Sequence, residues 1–233
     1  MTTTHLPGQI YLADQRGLVE TPQQQRLSTF NFGAYQAEGR GPFGQLLALN
    51  EELLAPGQAV VLSVAQPAHL LLLPVTGNVI VAGPGGLGGS VEVEEVQVLT
   101  LAAGAPVQLR NPYPDHVITL LHIWLSAAEP VPAPATESFV YALGSLDNQL
   151  AELVPMSPAR PTSLHLGRFQ GRHEAVYQPR PGSHLFAFVL AGAFELAGRL
   201  LHAHDGLALW DCPEADLEAL SNDALVLLLE LAA

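Results

Sequence analysis

The sequence predicts an all-β fold made of two barrels in tandem, and three observations support this. The chain is divided into short pieces by 19 prolines and 21 glycines. Few of these pieces have a period of 3.6 residues, whereas many are short apolar or alternating runs, which is typical of strands. Two strand-rich regions are separated by Ser126–Ala135 (SAAEPVPAPA), a composition typical of an extended linker.

The composition indicates a globular protein with an acidic surface. Hydrophobic residues make up 48% of the chain, which is enough for a sizeable core, and the formal net charge is −13. This charge disfavours nucleic-acid binding, which needs basic patches. All 9 basic residues are Arg, so chemistry based on a lysine Schiff base is excluded.

The sequence also favours a cytoplasmic location. Cys212 is the only cysteine, so no internal disulfide or cysteine metal cluster can form, which fits a reducing compartment. The N-terminus lacks the pattern of a secretory signal. No apolar segment approaches the length of about 18 residues that spans a membrane.

The first region is predicted to consist of short strands joined by glycine turns. Val91–Glu94 alternates between apolar and acidic residues, as a strand with one solvated face does. Gly83–Gly89 is interpreted as a hairpin loop, because no Lys and no helical pattern follow it. The predicted strands are Gln58–Val64, Leu70–Val75, Val79–Ala82, Val91–Leu101 and Val117–Leu125.

The remainder of the chain is predicted to contain one helix and a second set of strands. Ser145–Val154 places Leu146, Leu150 and Leu153 on one face of a helix. The later strands are predicted at Leu185–Leu190, Phe194–Leu196, Leu207–Trp210 and Ala224–Leu231. We therefore predict a barrel over residues 1–125, a linker with a short helix over 126–161, and a second barrel over 162–233.

The two strand-rich regions repeat the same order of features. Leu70–Val75 leads to Gly77, a hairpin and the turn at Gly104, whereas Leu185–Leu190 leads to Gly192, a hairpin and the turn at Gly206. This order is typical of a cupin, a jelly-roll-like barrel also called a double-stranded β-helix. Two copies predict a bicupin.

Three segments resemble the pirin family of bicupins. Ser28–Tyr35 (STFNFGAY) is similar to its N-terminal TFSF…Y signature, and Asp205–Asp211 (DGLALWD) is similar to the DGLAIWDE segment of bacterial members. Leu121–Leu125 (LHIWL) resembles the strand that closes the first barrel in that family. The resemblance implies a first barrel that holds one metal ion through three His and one Glu. It also implies quercetin 2,3-dioxygenase activity as one possible function.

The residues at the implied metal positions are not the family's ligands. With Gly77 aligned to the glycine of the family's LEG turn, the first two histidines fall on Ser63 and Ala65. The remaining His and Glu fall on Leu109 and Asn111 in the segment that follows Ala103. Neutral or apolar side chains are poor ligands for a transition metal, so we expect no metal cofactor at this site.

Other polar residues give weaker hypotheses. His69 lies on the same face as Ser63 by strand parity and is a candidate for contact with a ligand. His202 and His204 form the only H-x-H motif, which is a possible adventitious metal site near Asp205. The favoured interpretation is a pocket at the former metal site that is mostly apolar with a few polar groups; its predicted lining is Ser63, Ala65, His69, Leu109 and Asn111.

Two classes of function follow from this pattern. The first is a non-enzymatic protein without a cofactor that binds a small organic ligand or a partner that the sequence does not identify. The second is a cupin dioxygenase, either a quercetin 2,3-dioxygenase with an unrecognised metal site or a metal-free enzyme that uses His69. Neither nucleic acid nor membrane is an expected partner.

Overall fold

The computed structural model describes residues 6–127 and 134–232, which form an almost entirely β structure. The 3-10 turns are Ala13–Gln15, Pro84–Gly86 and Leu143–Ser145. The strands are β1 (Gly8–Tyr11), β2 (Gly17–Glu20), β3 (Gln24–Ser28), β4 (Leu46–Leu54), β5 (Ala59–Leu62), β6 (Ala68–Thr76), β7 (Val79–Ala82), β8 (Gly88–Val91), β9 (Glu95–Leu101), β10 (Val107–Arg110), β11 (Ile118–Ser126), β12 (Ala135–Val140), β13 (Gln149–Val154), β14 (Thr162–Phe169), β15 (Glu174–Tyr177), β16 (His184–Ala191), β17 (Ala193–Leu196), β18 (Arg199–His202), β19 (Gly206–Leu209), β20 (Ala215–Ala219) and β21 (Ala224–Leu231).

The first barrel is the compact unit Arg16–Tyr141. Its larger sheet has the order β12-β9-β6-β11-β4-β3-β2, and its smaller sheet has the order β5-β10-β7-β8. Alternate residues of β6 show how the interior forms, because Ala68, Leu70 and Leu72 all belong to the buried core cluster of this unit. Gly77 has a φ of 70° in the turn after β6, where a Cβ atom would lie 2.7 Å from Ile118 Cγ2. Only glycine fits this turn without strain.

The second barrel is the compact unit formed within Met1–Gln15 and Ala142–Ala233. Its sheets have the orders β1-β19-β16-β21-β14-β13 and β15-β20-β17-β18. The turn between β16 and β17 contains Gly192 with a φ of 76°, which repeats the Gly77 turn of the first barrel. The tandem cupin architecture predicted from the sequence is therefore confirmed.

The compact units have different bounds from the predicted segments 1–125 and 162–233. β1 pairs antiparallel with β19, so the N-terminal strand belongs to the second barrel. Two parts of the predicted linker form strands, since β12 pairs with β9 and β13 pairs with β14. The Pro- and Ala-rich part of Ser126–Ala135 falls largely outside the described residues. Strand pairing between distant segments, which chain order does not reveal, determines these bounds.

The predicted helix at Ser145–Val154 is wrong. Asn148 has a φ of 56°, a left-handed conformation that interrupts a helix, and the following residues form β13. Leu150 lies opposite Gly167 of β14 in the sheet. Pairing with the neighbouring strand outweighs the local leucine pattern, because helical propensity is weaker than tertiary contacts.

Across the described ranges 6–127 and 134–232, no helix combines the length and apolar character needed to cross a bilayer.

Candidate functional site

The four positions where the resemblance implies metal ligands lie in two different environments. Ser63 and Ala65 follow β5 and are exposed. Leu109 lies opposite Val60 and is completely buried in the core cluster of the first barrel. Asn111, which follows β10, is also completely buried. The structure therefore separates two exposed positions from two buried ones.

The amide of Asn111 is fully engaged in hydrogen bonds. Its two Nδ2 hydrogens are shared among the carbonyl oxygens of Leu54 at 3.0 Å, Ala55 at 3.1 Å and His116 at 2.7 Å. Its Oδ1 accepts a hydrogen bond from Tyr113 N at 2.9 Å. A carboxylate cannot donate to carbonyls, so an amide fits here and an acid does not. Asn111 thus ties the loop between β10 and β11 to the end of β4.

His69 is buried on β6, and its Nδ1 lies 3.1 Å from Thr100 Oγ1 on β9. Because the neighbouring Ala68 and Leu70 belong to the interior core cluster, alternation places His69 on the opposite face of the sheet. None of the five predicted pocket residues lines any of four well-formed cavities among the described residues. Their role in ligand binding stays a prediction.

The H-x-H motif does not have the geometry of a regular strand. His202 ends β18, whereas His204 lies in the following turn with a φ of 68°. The nearby Asp205 carboxylate accepts backbone hydrogen bonds from His202 N at 2.8 Å and from Ala13 N at 2.7 Å. In the part of the chain that the structure describes, no group of three or more His, Cys, Asp or Glu is arranged to hold a metal ion.

A buried polar cluster lies inside the first barrel, and sequence reasoning missed it. On β4, Asn50 and Glu52 are the register partners of residues on β3 and β11. Leu120 and Trp124 flank His122 on the same face of β11 and belong to the core cluster, so this face is the barrel interior. We call the following side chains the interior polar cluster: Arg26, Asn50, Glu52, His122 and Trp124.

Glu52 lies at the centre of this cluster. Its Oε2 is 2.6 Å from Arg26 Nε and 3.3 Å from His122 Nε2. The Glu52 side chain is completely buried, and the Arg26 side chain is 9% exposed. A buried carboxylate of this kind needs a cationic partner, because its desolvation is costly. Arg26 and Glu52 therefore form an ion pair without net charge inside the apolar barrel.

The hydrogen bonds define the tautomer of His122. Trp124 Nε1 lies 2.9 Å from His122 Nδ1, and an indole N–H can only donate, so Nδ1 is the acceptor. The proton of the neutral ring consequently lies on Nε2, where it points to Glu52. Burial lowers the pKa of His122, although the hydrogen bond and charge of Glu52 act in the opposite direction. The imidazole is therefore neutral at pH 7.

Three oxygens of this region have no hydrogen-bond partner among the described atoms: Ser28 Oγ, Asn50 Oδ1 and Glu52 Oε1. Phe32 packs against the cluster, with ring centroids 5.5 Å from His122 and 5.9 Å from Trp124. Its own exposure is 7%, so it helps to close the cluster from solvent. The signal in the sequence was the polar residues Asn50 and Glu52 at alternate positions and the single His122 within long apolar strands.

A cavity opens at the end of the first barrel where the Asn111 loop is held. Its volume is about 290 Å³. Tyr113 lies in its wall, and the Tyr113 hydroxyl accepts a hydrogen bond from Asn78 N at 3.3 Å. We call this space the end cavity; it is lined by Thr76, Gly77, Tyr113, His116, Val117 and Ile118. It has an apolar wall with a phenol and an imidazole at its edge.

The second barrel contains a different polar arrangement. Glu230 Oε2 accepts a hydrogen bond of 2.5 Å from the Tyr177 hydroxyl, whose oxygen lies 3.0 Å from His165 Nε2. Ser163 Oγ lies 3.0 Å from the same nitrogen. Burial lowers the pKa of His165, partly opposed by the charges of Glu152 and Glu230. Burial and the Glu230 hydrogen bond and charge both raise the pKa of Tyr177, so its hydroxyl remains a donor.

Comparison with known proteins agrees with this architecture. Residues 160–231 match the family model of the quercetinase C-terminal cupin domain. The nickel(II) complex of the bacterial pirin YhhW from Escherichia coli is 19% identical, with a TM-score of 0.84 over 97% of this chain and 99% of that chain. Quercetin 2,3-dioxygenase from Acinetobacter baumannii is 14% identical, with a TM-score of 0.75 over 98% of this chain and 86% of that chain. No protein of curated function matches the sequence. The chain thus has the tandem cupin fold of the bacterial pirins.

Proposed function

We propose that this pirin-like bicupin is a metal-independent protein that binds a small organic molecule in the end cavity of the first barrel. The observation that carries the proposal is the hydrogen bonding of Asn111. At a position where the resemblance implies a glutamate ligand, its amide instead holds the loop that supplies Tyr113 and His116 to the cavity wall. A residue that would have served a metal therefore shapes a pocket.

The residues present do not fit the metal of the related bicupins. A mononuclear site needs several N, O or S donors that converge at about 2.0–2.3 Å. Ala65 and Leu109 have no donor, and Asn111 directs its amide nitrogen to three carbonyls. Of the four positions, only the exposed Ser63 hydroxyl is left as a side-chain ligand atom, and one ligand is too few to hold a metal ion. The proposal therefore includes no oxygenase step.

The cavity wall favours a ligand with an apolar body and one polar group. A volume of about 290 Å³ is close to the lower limit for small-molecule pockets, so the ligand is small. Val117 and Ile118 supply hydrocarbon, and Tyr113 supplies an aromatic ring. The Tyr113 hydroxyl accepts one hydrogen bond from Asn78 N and can donate its own hydrogen to a ligand. A small aromatic alcohol has the required chemistry.

A matched pair of exposed valines tests this proposal. Val117 is 53% exposed and lines the end cavity, whereas Val75 is 44% exposed and does not line it. We expect Val117→Trp to block the cavity and Val75→Trp to leave it open, with little cost to stability in either case. Saturation-transfer difference NMR with 2-phenylethanol and quercetin should show contacts in the wild-type protein and in Val75→Trp that are lost in Val117→Trp.

Two results would contradict the proposal, one from this binding experiment and one from an assay of oxygen consumption. Equal binding to both variants would overturn the end cavity as the site. Oxygen consumption that depends on quercetin and is abolished by a chelator would favour a dioxygenase, and the metal-independent function would then be wrong.

A further inference from the structure

A larger cavity lies in the second barrel, and neither His165 nor Tyr177 lines it. Its volume is about 420 Å³, which is within the range of small-molecule pockets. One wall is the loop before β16, and the other is the segment between β19 and β20. We call it the proline cavity; it is lined by Pro179, Pro181, Gly182, Ser183, Asp211, Cys212 and Pro213.

Glu230 holds the first wall in place. Its Oε1 accepts a hydrogen bond of 2.8 Å from Arg180 N, and the Ser183 hydroxyl also donates to this carboxylate. Burial by itself would raise the pKa of Glu230. The hydrogen bonds from Tyr177, Arg180 N and Ser183, with the charge of Arg180, outweigh burial and lower it. The loop is therefore tied to an ionised carboxylate that belongs to β21, and the cavity is built on a rigid element.

The side chains of the proline cavity offer one exposed charged acceptor. The Ser183 hydroxyl is used as a donor to Glu230, and the Cys212 thiol is a donor to Glu214 O at 3.3 Å. Three of the seven lining residues are prolines, which have no backbone N–H. Asp211 contributes an exposed carboxylate, which can only accept. A ligand with a positive charge and a hydrogen-bond donor complements this carboxylate.

We propose that the proline cavity binds an organic ammonium ion, with its charged group on the Asp211 carboxylate and its apolar body against the proline rings. The formal charge of −13 favours the approach of cations. Burial raises the pKa of the Cys212 thiol, with a contribution from the charges of Asp216 and Glu214, and outweighs the opposite effect of the Glu214 backbone hydrogen bond and the charge of Arg199. The thiol is therefore neutral, and the negative charge in the cavity lies on Asp211. This site lies in the other barrel and does not depend on the end cavity.

The single cysteine gives a direct measure of occupancy. Because Cys212 lines the cavity and is the only thiol in the chain, its rate of modification by a disulfide reagent reports access to this space. The probes are benzylamine, benzyl alcohol and benzoate, which share a ring and differ in charge. We expect benzylamine to slow modification and benzoate to have no effect, with isothermal titration calorimetry of the same three compounds as the second measurement.

Two variants that each remove one negative charge complete the test. Asp211→Asn should weaken benzylamine binding about tenfold, as expected for loss of a charge-assisted hydrogen bond. Asp211 has a φ of 55°, a conformation that asparagine also tolerates, so the fold should be retained. Glu38→Gln, on an exposed loop of the other barrel, should not change binding. Equal binding of benzoate and benzylamine, no binding of benzylamine by calorimetry, or equal affinity in wild type and Asp211→Asn would overturn the proposal.

Discussion

Each barrel has a buried glutamate on a strand that faces its own interior, and the two glutamates are stabilised in different ways. In the first barrel, Glu52 lies on β4 and is paired with the guanidinium of Arg26 and the neutral ring of His122. In the second barrel, Glu230 on β21 accepts hydrogen bonds from Tyr177, a backbone N–H and a serine hydroxyl. The comparison indicates that the sealed carboxylate of Glu52 is bonded directly to a cation, whereas Glu230 is bonded by neutral donors and the charge of Arg180 adds a smaller contribution.

The largest expected effect comes from removing these two carboxylates. Glu52→Ala should lower the free energy of unfolding by about 3–5 kcal/mol, because Arg26 is left as an unpaired buried charge. Glu230→Ala should cost about 1–3 kcal/mol, because it leaves only neutral donors unsatisfied. Urea unfolding followed by circular dichroism measures both. A larger loss of stability for Glu230→Ala than for Glu52→Ala would contradict the proposed difference in how the two carboxylates are stabilised.

Trp124→Phe should have the next largest effect. The indole is the donor that keeps Nδ1 of His122 unprotonated, so its removal should cost about 1–3 kcal/mol. The ¹⁵N chemical shifts of His122 should show a single Nε2–H tautomer in the wild-type protein, and the Nδ1 shift should change in the variant because its hydrogen bond from the indole is lost. Trp210→Phe in the second barrel is the control and should leave those shifts unchanged. A mixture of tautomers in the wild-type protein would contradict the hydrogen-bond assignment.

Asn111→Asp tests whether Asn111, at a position where the resemblance implies a glutamate ligand, has a structural role. The new carboxylate would face three carbonyl oxygens without a hydrogen to donate, so we expect a loss of about 1–3 kcal/mol and no gain of metal binding. Thermal unfolding with and without nickel(II) measures both effects. Asp115→Asn, at an exposed position in the same loop, should have little effect. Stabilisation of Asn111→Asp by nickel(II) would show that the metal geometry persists.

The pH dependence should be the smallest of these effects. The pKa values of His122 and His165 are lowered in the folded state, so the unfolded chain binds more protons below about pH 6.5. Stability is therefore complete above this pH and falls as the pH decreases through it. His122→Gln should flatten the profile of melting temperature between pH 7.5 and 5 more than His165→Gln, because His122 is fully buried. Equal flattening would contradict this comparison.

The sequence was sufficient for the architecture because it depends on local signals. The glycine turns at Gly77 and Gly192 and the apolar runs before them predicted both barrels. The helix at Ser145–Val154 failed because the pairing of β13 with β14 is a long-range property. The site was harder to predict for the same reason. Arg26, Glu52 and His122 are far apart in the chain, and only the register of β3, β4 and β11 brings them together.

The metal content of the purified protein tests the central claim most directly. Elemental analysis and calorimetric titration with nickel(II) and iron(II) should be performed on the intact chain and on the His202→Ala/His204→Ala variant. We expect far less than one metal ion per chain and no heat of specific binding in either protein. One iron, nickel, copper, manganese or zinc ion per chain that persists in the double variant would contradict it.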